Sequence, residues 1–226
     1  MFDIKIDKIV RSNRRTIGLQ ITNDACLIVR APFFASEGLI HKLIRQKGTW
    51  IRSKQEHIKQ RQSKILPREF KPGEEFLFLG KGFPLLVAED LPKAVVFDGD
   101  LKIAQVALSN AKEHLENWYK AQALDYLAAR TRDYAQITGL SYRMVRVNAA
   151  QTRWGSCSRK DTLNFTWRLI MAPPRVVDYV IVHELMHLKQ RNHSYKFWEE
   201  VAAMIPDYKQ DERWLKQNGH LLVWPE

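Results

Sequence analysis

Residues 178–187 read Asp178-Tyr179-Val180-Ile181-Val182-His183-Glu184-Leu185-Met186-His187. Pro173-Pro174 precedes this run, and proline is tolerated in the first turn of a helix. Val176, Val177, Val180 and Ile181 make the stretch strongly apolar, which predicts a buried helix. On that helix His183 and His187 stand one turn apart on one face. This is the HExxH spacing, with which two neutral imidazoles grip one zinc ion at about 2.0–2.1 Å. Glu184 lies beside His183 but too far round the helix to be a ligand. It is placed to take a proton from a water on the metal, as a general base.

A third ligand is expected downstream. His193 extends the pattern to HExxHxxxxxH, the spacing of the metzincin motif. That motif turns the chain with a glycine, where this sequence has Gln190; Asn192 is the expected left-handed residue instead. Glu200 and Glu212 compete with His193 for the position. Upstream, Tyr142–Val147 reads as a strand, and Thr152–Cys157 with Thr162–Thr166 as a hairpin. Its first strand is expected beside the metal helix, where an edge binds substrate backbone by strand addition. Gly155 would permit close approach of another backbone there. Arg153 is a candidate to hold a carboxylate, a phosphate or an oxyanion, against a structural salt bridge. Tyr195 is a candidate hydrogen-bond donor to the transition state. Trp154, Trp167, Phe197 and Trp198 read as core and Cys157 as a structural thiol, with Asn164 or Asp178 as a possible partner of a ligand imidazole.

Outward from this region the chain alternates strands and helices. Phe2, Ile4 and Ile6 alternate with charged residues as in a strand, and Arg11–Arg15 reads as a hairpin loop. Strands follow at Ile17–Ile21 and Ala25–Arg30, joined by a Thr22-Asn23-Asp24 turn. A long amphipathic helix is predicted from Ser36, its N-cap, to Lys64. Its polar face carries Lys42, Arg45, Arg52, Lys54, Lys59 and Arg61. Pro67 and Pro72-Gly73 break the chain. Short strands are expected over 76–103, then a helix over about 109–136 stopped by Gly139. The fold class is α+β: antiparallel N-terminal strands with a long basic helix (1–70), short strands plus a helix (71–139), and a catalytic core (140–226), expected to form one compact unit.

Composition narrows the class. With 226 residues, 45% hydrophobic and 27% charged, the chain can bury a core without staples. Disordered, collagenous and disulfide-scaffold classes are excluded. Cys26 and Cys157 form no CxxC pair, which suits a reducing compartment. The charged N-terminus is unlike a signal peptide, and no run of about 18 apolar residues exists to span a membrane. The expectation is a soluble, cytoplasmic protein of open oligomeric state. The net charge is +11. Residues 1–70 hold 15 Lys/Arg against 6 Asp/Glu, while residues 71–226 hold 21 against 19. The basic N-terminal helix is therefore a candidate nucleic-acid contact.

A resemblance joins these motifs. Arg153-Trp154-Gly155-Ser156-Cys157-Ser158, Leu163–Leu169, Ala172-Pro173, Asp178–His187, Asn192-His193-Ser194, Phe197-Trp198, Pro206–Lys209 and Trp214-Leu215 together resemble the YgjP-like family of metal-dependent hydrolases. The match is dense over residues 142–219. It implies a zincin-like core with His183, His187 and His193 on Zn2+ and Glu184 as catalytic base. It also implies a distant likeness to SprT-type proteases that act near DNA. Three activities follow as expectations: a zinc metallopeptidase-type hydrolase, a UTP pyrophosphatase using the same metal site, or a nucleic-acid-associated metalloprotease. In the nucleotide case, Arg153, Lys160 or Arg168 would neutralise phosphates.

Overall fold

The computed structural model of the protein describes residues 4–22, 25–62 and 68–224. Phe2, Asn23, Asp24, Lys64 and Pro67, which figure in the expected strand, turn, helix end and break, lie outside the described residues. The chain divides into two compact units, 1–66 and 67–226. Segments 71–139 and 140–226 fall in one unit because Phe76, Leu85, Tyr119, Phe165 and Trp167 belong to a single core.

The first unit holds β1 (Lys8–Ser12), β2 (Gly18–Ile21) and β3 (Leu27–Pro32), then α1 (Glu37–Gln46) and α2 (Gly48–Gln62). Leu27, Val29 and Ala31 alternate inward and meet Ile40, Ile44 and Ile51. The strands do not form the expected antiparallel set. Their order is β1-β3-β2, with β1 parallel to β3 and β2 antiparallel to it. Side-chain chemistry explains the difference. Asp7 accepts the Leu27 N–H at 2.6 Å, and the Arg11 guanidinium donates to the carbonyls of Pro32, Phe33 and Ala35 at 2.8–3.2 Å. Arg11 and Ser12 are thus strand residues rather than loop, and the strand begins at Lys8. The single long helix is two helices, since α1 ends at Lys47, whose N–H closes onto Leu43. Ser36 caps α1 as expected, its Oγ accepting the Leu39 N–H at 3.3 Å.

The second unit has two sheets. β4 (Glu75–Phe78), β5 (Lys81–Ala88), β6 (Val95–Phe97) and β7 (Leu101–Ala104) take the order β4-β5-β7-β6. After α3 (Ala111–Thr138), ended at Gly139, come β8 (Met144–Asn148), β9 (Gly155–Cys157) and β10 (Thr162–Thr166) in the order β8-β10-β9. β9 is therefore an edge, antiparallel to β10, and β8 is parallel to β10. α4 (Pro174–Met186) follows, then α5 (Tyr195–Met204) and α6 (Tyr208–Asn218). The α+β class holds.

α4 is fixed at its start. Leu79 and Gly80 donate to the carbonyls of Ile170 and Met171 at 2.8 and 3.1 Å. Gly80 has φ of 78°, and a Cβ there would meet Pro173 Cα at 2.8 Å, so only glycine fits this approach. Further along, Arg130 clamps Asp178 with two bonds of 2.9 and 2.8 Å, and Arg175 pairs with Asp211. Val176, Val177, Ile181, Val182 and Leu185 are fully buried. No helix among the described residues is long and apolar enough to cross a membrane.

Candidate active site

The structure brings His183, His187 and His193 together. Their candidate ligand atoms all lie within 4.8 Å of one another. His183 Nε2 and His193 Nε2 are 3.0 Å apart, against about 3.3 Å between nitrogens on tetrahedral zinc with bonds of 2.0–2.1 Å. His187 Nδ1 lies 2.9 Å from the Gln190 carbonyl. That bond puts the proton on Nδ1 and leaves Nε2 to face the other rings. Burial first, and then the two neighbouring histidines, hold His183 down to about pKa 3. Burial also lowers His187. Three imidazoles with converging ring nitrogens are a donor set that fits Zn2+.

The loop between His187 and His193 turns without glycine and without a left-handed residue at Asn192. Leu188, Lys189 and Gln190 instead wind tightly onto the carbonyls of Leu185 and Met186. Asn192 accepts the Ser194 N–H with its side chain at 3.3 Å. Arg191 ties the loop down: it donates to the Ser158 carbonyl at 2.8 Å, to Cys157 Sγ at 3.4 Å, and to Asp161 at 2.5 Å. The competing carboxylates are paired with lysines, Glu200 with Lys189 at 3.0 Å and Glu212 with Lys216 at 2.7 Å, and neither joins the histidine group.

Phe197 is fully buried and sits under all three imidazoles, with ring centroids 4.6–4.9 Å away. Trp198 stacks on His193 and on Tyr208; Tyr208 stacks on Tyr179, whose ring meets His183 edge-on at 5.9 Å. Phe197 is core as expected, but Trp198 is a wall of the site. Tyr179 was not anticipated; it lies four residues before His183, on the same helix face, and that spacing could have found it. Tyr195 is 79% exposed at the start of α5. The α5 register turns residues 197 and 198 inward instead. Asn164 and Asp178 do not orient an imidazole either: Asn164 bonds the Ser156 and Thr162 carbonyls, and Asp178 bonds Arg130.

Glu184 is 6% exposed. Burial pushes its carboxyl up to about 7, opposed by the Cys157 backbone N–H and by Arg153. What approaches Gly155 is this side chain rather than another backbone: a Cβ on Gly155 would stand 2.6 Å from Glu184 Cγ and 2.8 Å from Oε1. A cavity of about 340 Å3 opens beside it, lined by Arg153, Trp154, Tyr179, Val180, His183 and Leu215 among others. The Cys157 thiol is raised by burial, the opposite of an activated nucleophile.

An HExxH helix, a third histidine, a buried carboxylate and an adjacent edge strand define a metallopeptidase-type hydrolase. The chain belongs to the YgjP-like family; the family model "YgjP-like, metallopeptidase domain" matches residues 15–218. Among solved structures it is similar to the metallopeptidase zymogen of Pyrococcus abyssi abylysin, at 22% identity and a TM-score of 0.38, over 40% of this chain and 93% of that one. No curated protein matches the chain.

Proposed function

We propose that the protein is a zinc-dependent peptidase in which Glu184 is the general base and acid. The observation that carries this is Glu184 held against Gly155, one residue from a histidine whose ring converges with two others. Zinc, held by His183, His187 and His193, would supply a Lewis acid that acidifies water and polarises a carbonyl. Glu184, near neutral in its pKa, accepts the water's proton and passes it to the leaving nitrogen. β9 is an edge strand whose Cys157 N–H is held by Glu184, and its backbone at Gly155 would meet an extended peptide. Arg153, at the cavity rim, faces the same space.

Glu184→Gln should keep its zinc, read by elemental analysis, and lose peptide hydrolysis by at least about 100-fold. Wild-type turnover by the zinc-loaded Glu184→Gln variant would overturn the mechanism. The nucleotide reading is less well served. Arg168 is buried and donates to the Ala149 carbonyl at 3.1 Å, leaving Arg153 and Lys160 exposed. Pyrophosphate release from UTP without cleavage of any peptide would reverse this preference.

A further inference from the structure

The cavity beside Glu184 is walled mainly by carbon, through Trp154, Tyr179, Val180 and Leu215. Two of these walls are braced. Trp154 rests on Gly219, where an added Cβ would come within 2.7 Å of the indole. Tyr179 is stacked against Tyr208 with an interplanar angle of 22°. A braced apolar recess of about 340 Å3 falls in the range of clefts that enclose small ligand groups, about 300–1,000 Å3.

The charges around it are uneven. Glu212 and Lys216 neutralise one another at 2.7 Å. Arg153 lines the cavity and makes no hydrogen bond or ion pair with any described residue. A planar guanidinium with its donors unspent is suited to a carboxylate.

We propose that this cavity is the specificity subsite, taking a bulky apolar side chain next to the bond that is cleaved. Arg153 binds a carboxylate close to that side chain, either a free C-terminus or an acidic residue. The assignment rests on the peptidase reading and names its substrate class: peptides with an aromatic or branched aliphatic residue followed by negative charge.

Two measurements on the full chain test it. The first is binding of hydrocinnamate, its amide and propanoate by calorimetry, with zinc and after chelation. Hydrocinnamate should bind at least about tenfold tighter than propanoate in both states. It should also bind several-fold tighter than its amide, and Arg153→Gln should erase that second ratio but not the first. Equal binding of hydrocinnamate and propanoate, or an acid-to-amide ratio unmoved in Arg153→Gln, overturns the proposal. The second is kcat/KM on matched peptides. Phe or Leu beside the scissile bond should exceed Ala by at least about tenfold. Amidating the C-terminus, or changing a nearby Glu to Gln, then tells which carboxylate is read. Probe discrimination without peptide cleavage keeps the subsite and removes the peptidase reading; cleavage without discrimination does the reverse.

Discussion

Gly155 has the most demanding position in the site. Its missing side chain is the space that Glu184 Cγ and Oε1 occupy. A methyl group there must move either β9 or the carboxylate, and neither has room, because Glu184 is buried and Cys157 N–H holds its oxygen. Gly155→Ala should therefore leave the three histidines and zinc content intact while lowering peptide hydrolysis by about 100-fold, the scale of a displacement near 1 Å. Parallel metal analysis and kinetics check it; full activity with full zinc would show that Glu184 tolerates the shift. Sequence could point to Gly155 but not to its partner. Glycine in a strand announces a close approach, yet nothing local says that residue 184 arrives there rather than another backbone.

At the level of elements, legibility follows locality. His183 and His187 are related by one helical turn, so their convergence is written in spacing alone. His193 is reached through a loop, and its placement depends on Arg191 meeting Ser158 and Asp161, residues 33 and 30 positions away. The same limit hid the pairing of β1 with β3, decided by Arg11 reaching past β2's position in the sequence to Pro32, Phe33 and Ala35. It also hid the site's aromatic wall, where α6 supplies Tyr208 to Trp198 and Tyr179. If Arg191 fixes the ligand loop, Arg191→Ala should weaken zinc binding by about 10–100-fold in competition with a chelating dye, as loss of an outer support does. Activity should return at saturating zinc. Lys189→Ala, which removes only a half-exposed pair with Glu200, should change affinity little. Equal losses in both variants would mean that the loop responds to charge and not to the clamp.

Over the whole molecule, charge and chemistry are divided between the units. Residues 1–66 carry 14 Lys/Arg against 5 Asp/Glu, and residues 67–226 carry 22 against 20. The histidines, Glu184 and the cavity all belong to the second. Within the first, Lys42, Arg45, Arg52 and Lys59 are exposed and stand in no ion pair with any described residue, so this cationic surface is unspent. The charge predicts affinity for nucleic acid that falls steeply as salt rises, with a log–log slope of about −0.9 per phosphate neutralised on duplex DNA. Replacing those four side chains by alanine should flatten that slope by up to about 3.6. It should leave cleavage of a short neutral peptide unchanged, since none of the four lines the catalytic cavity. Salt-titrated DNA binding, measured beside peptide kinetics on the same preparations, checks both halves. DNA affinity that ignores the substitutions would assign the positive charge to solubility, whereas a matching loss of peptide cleavage would mean that the basic unit also serves the chemistry.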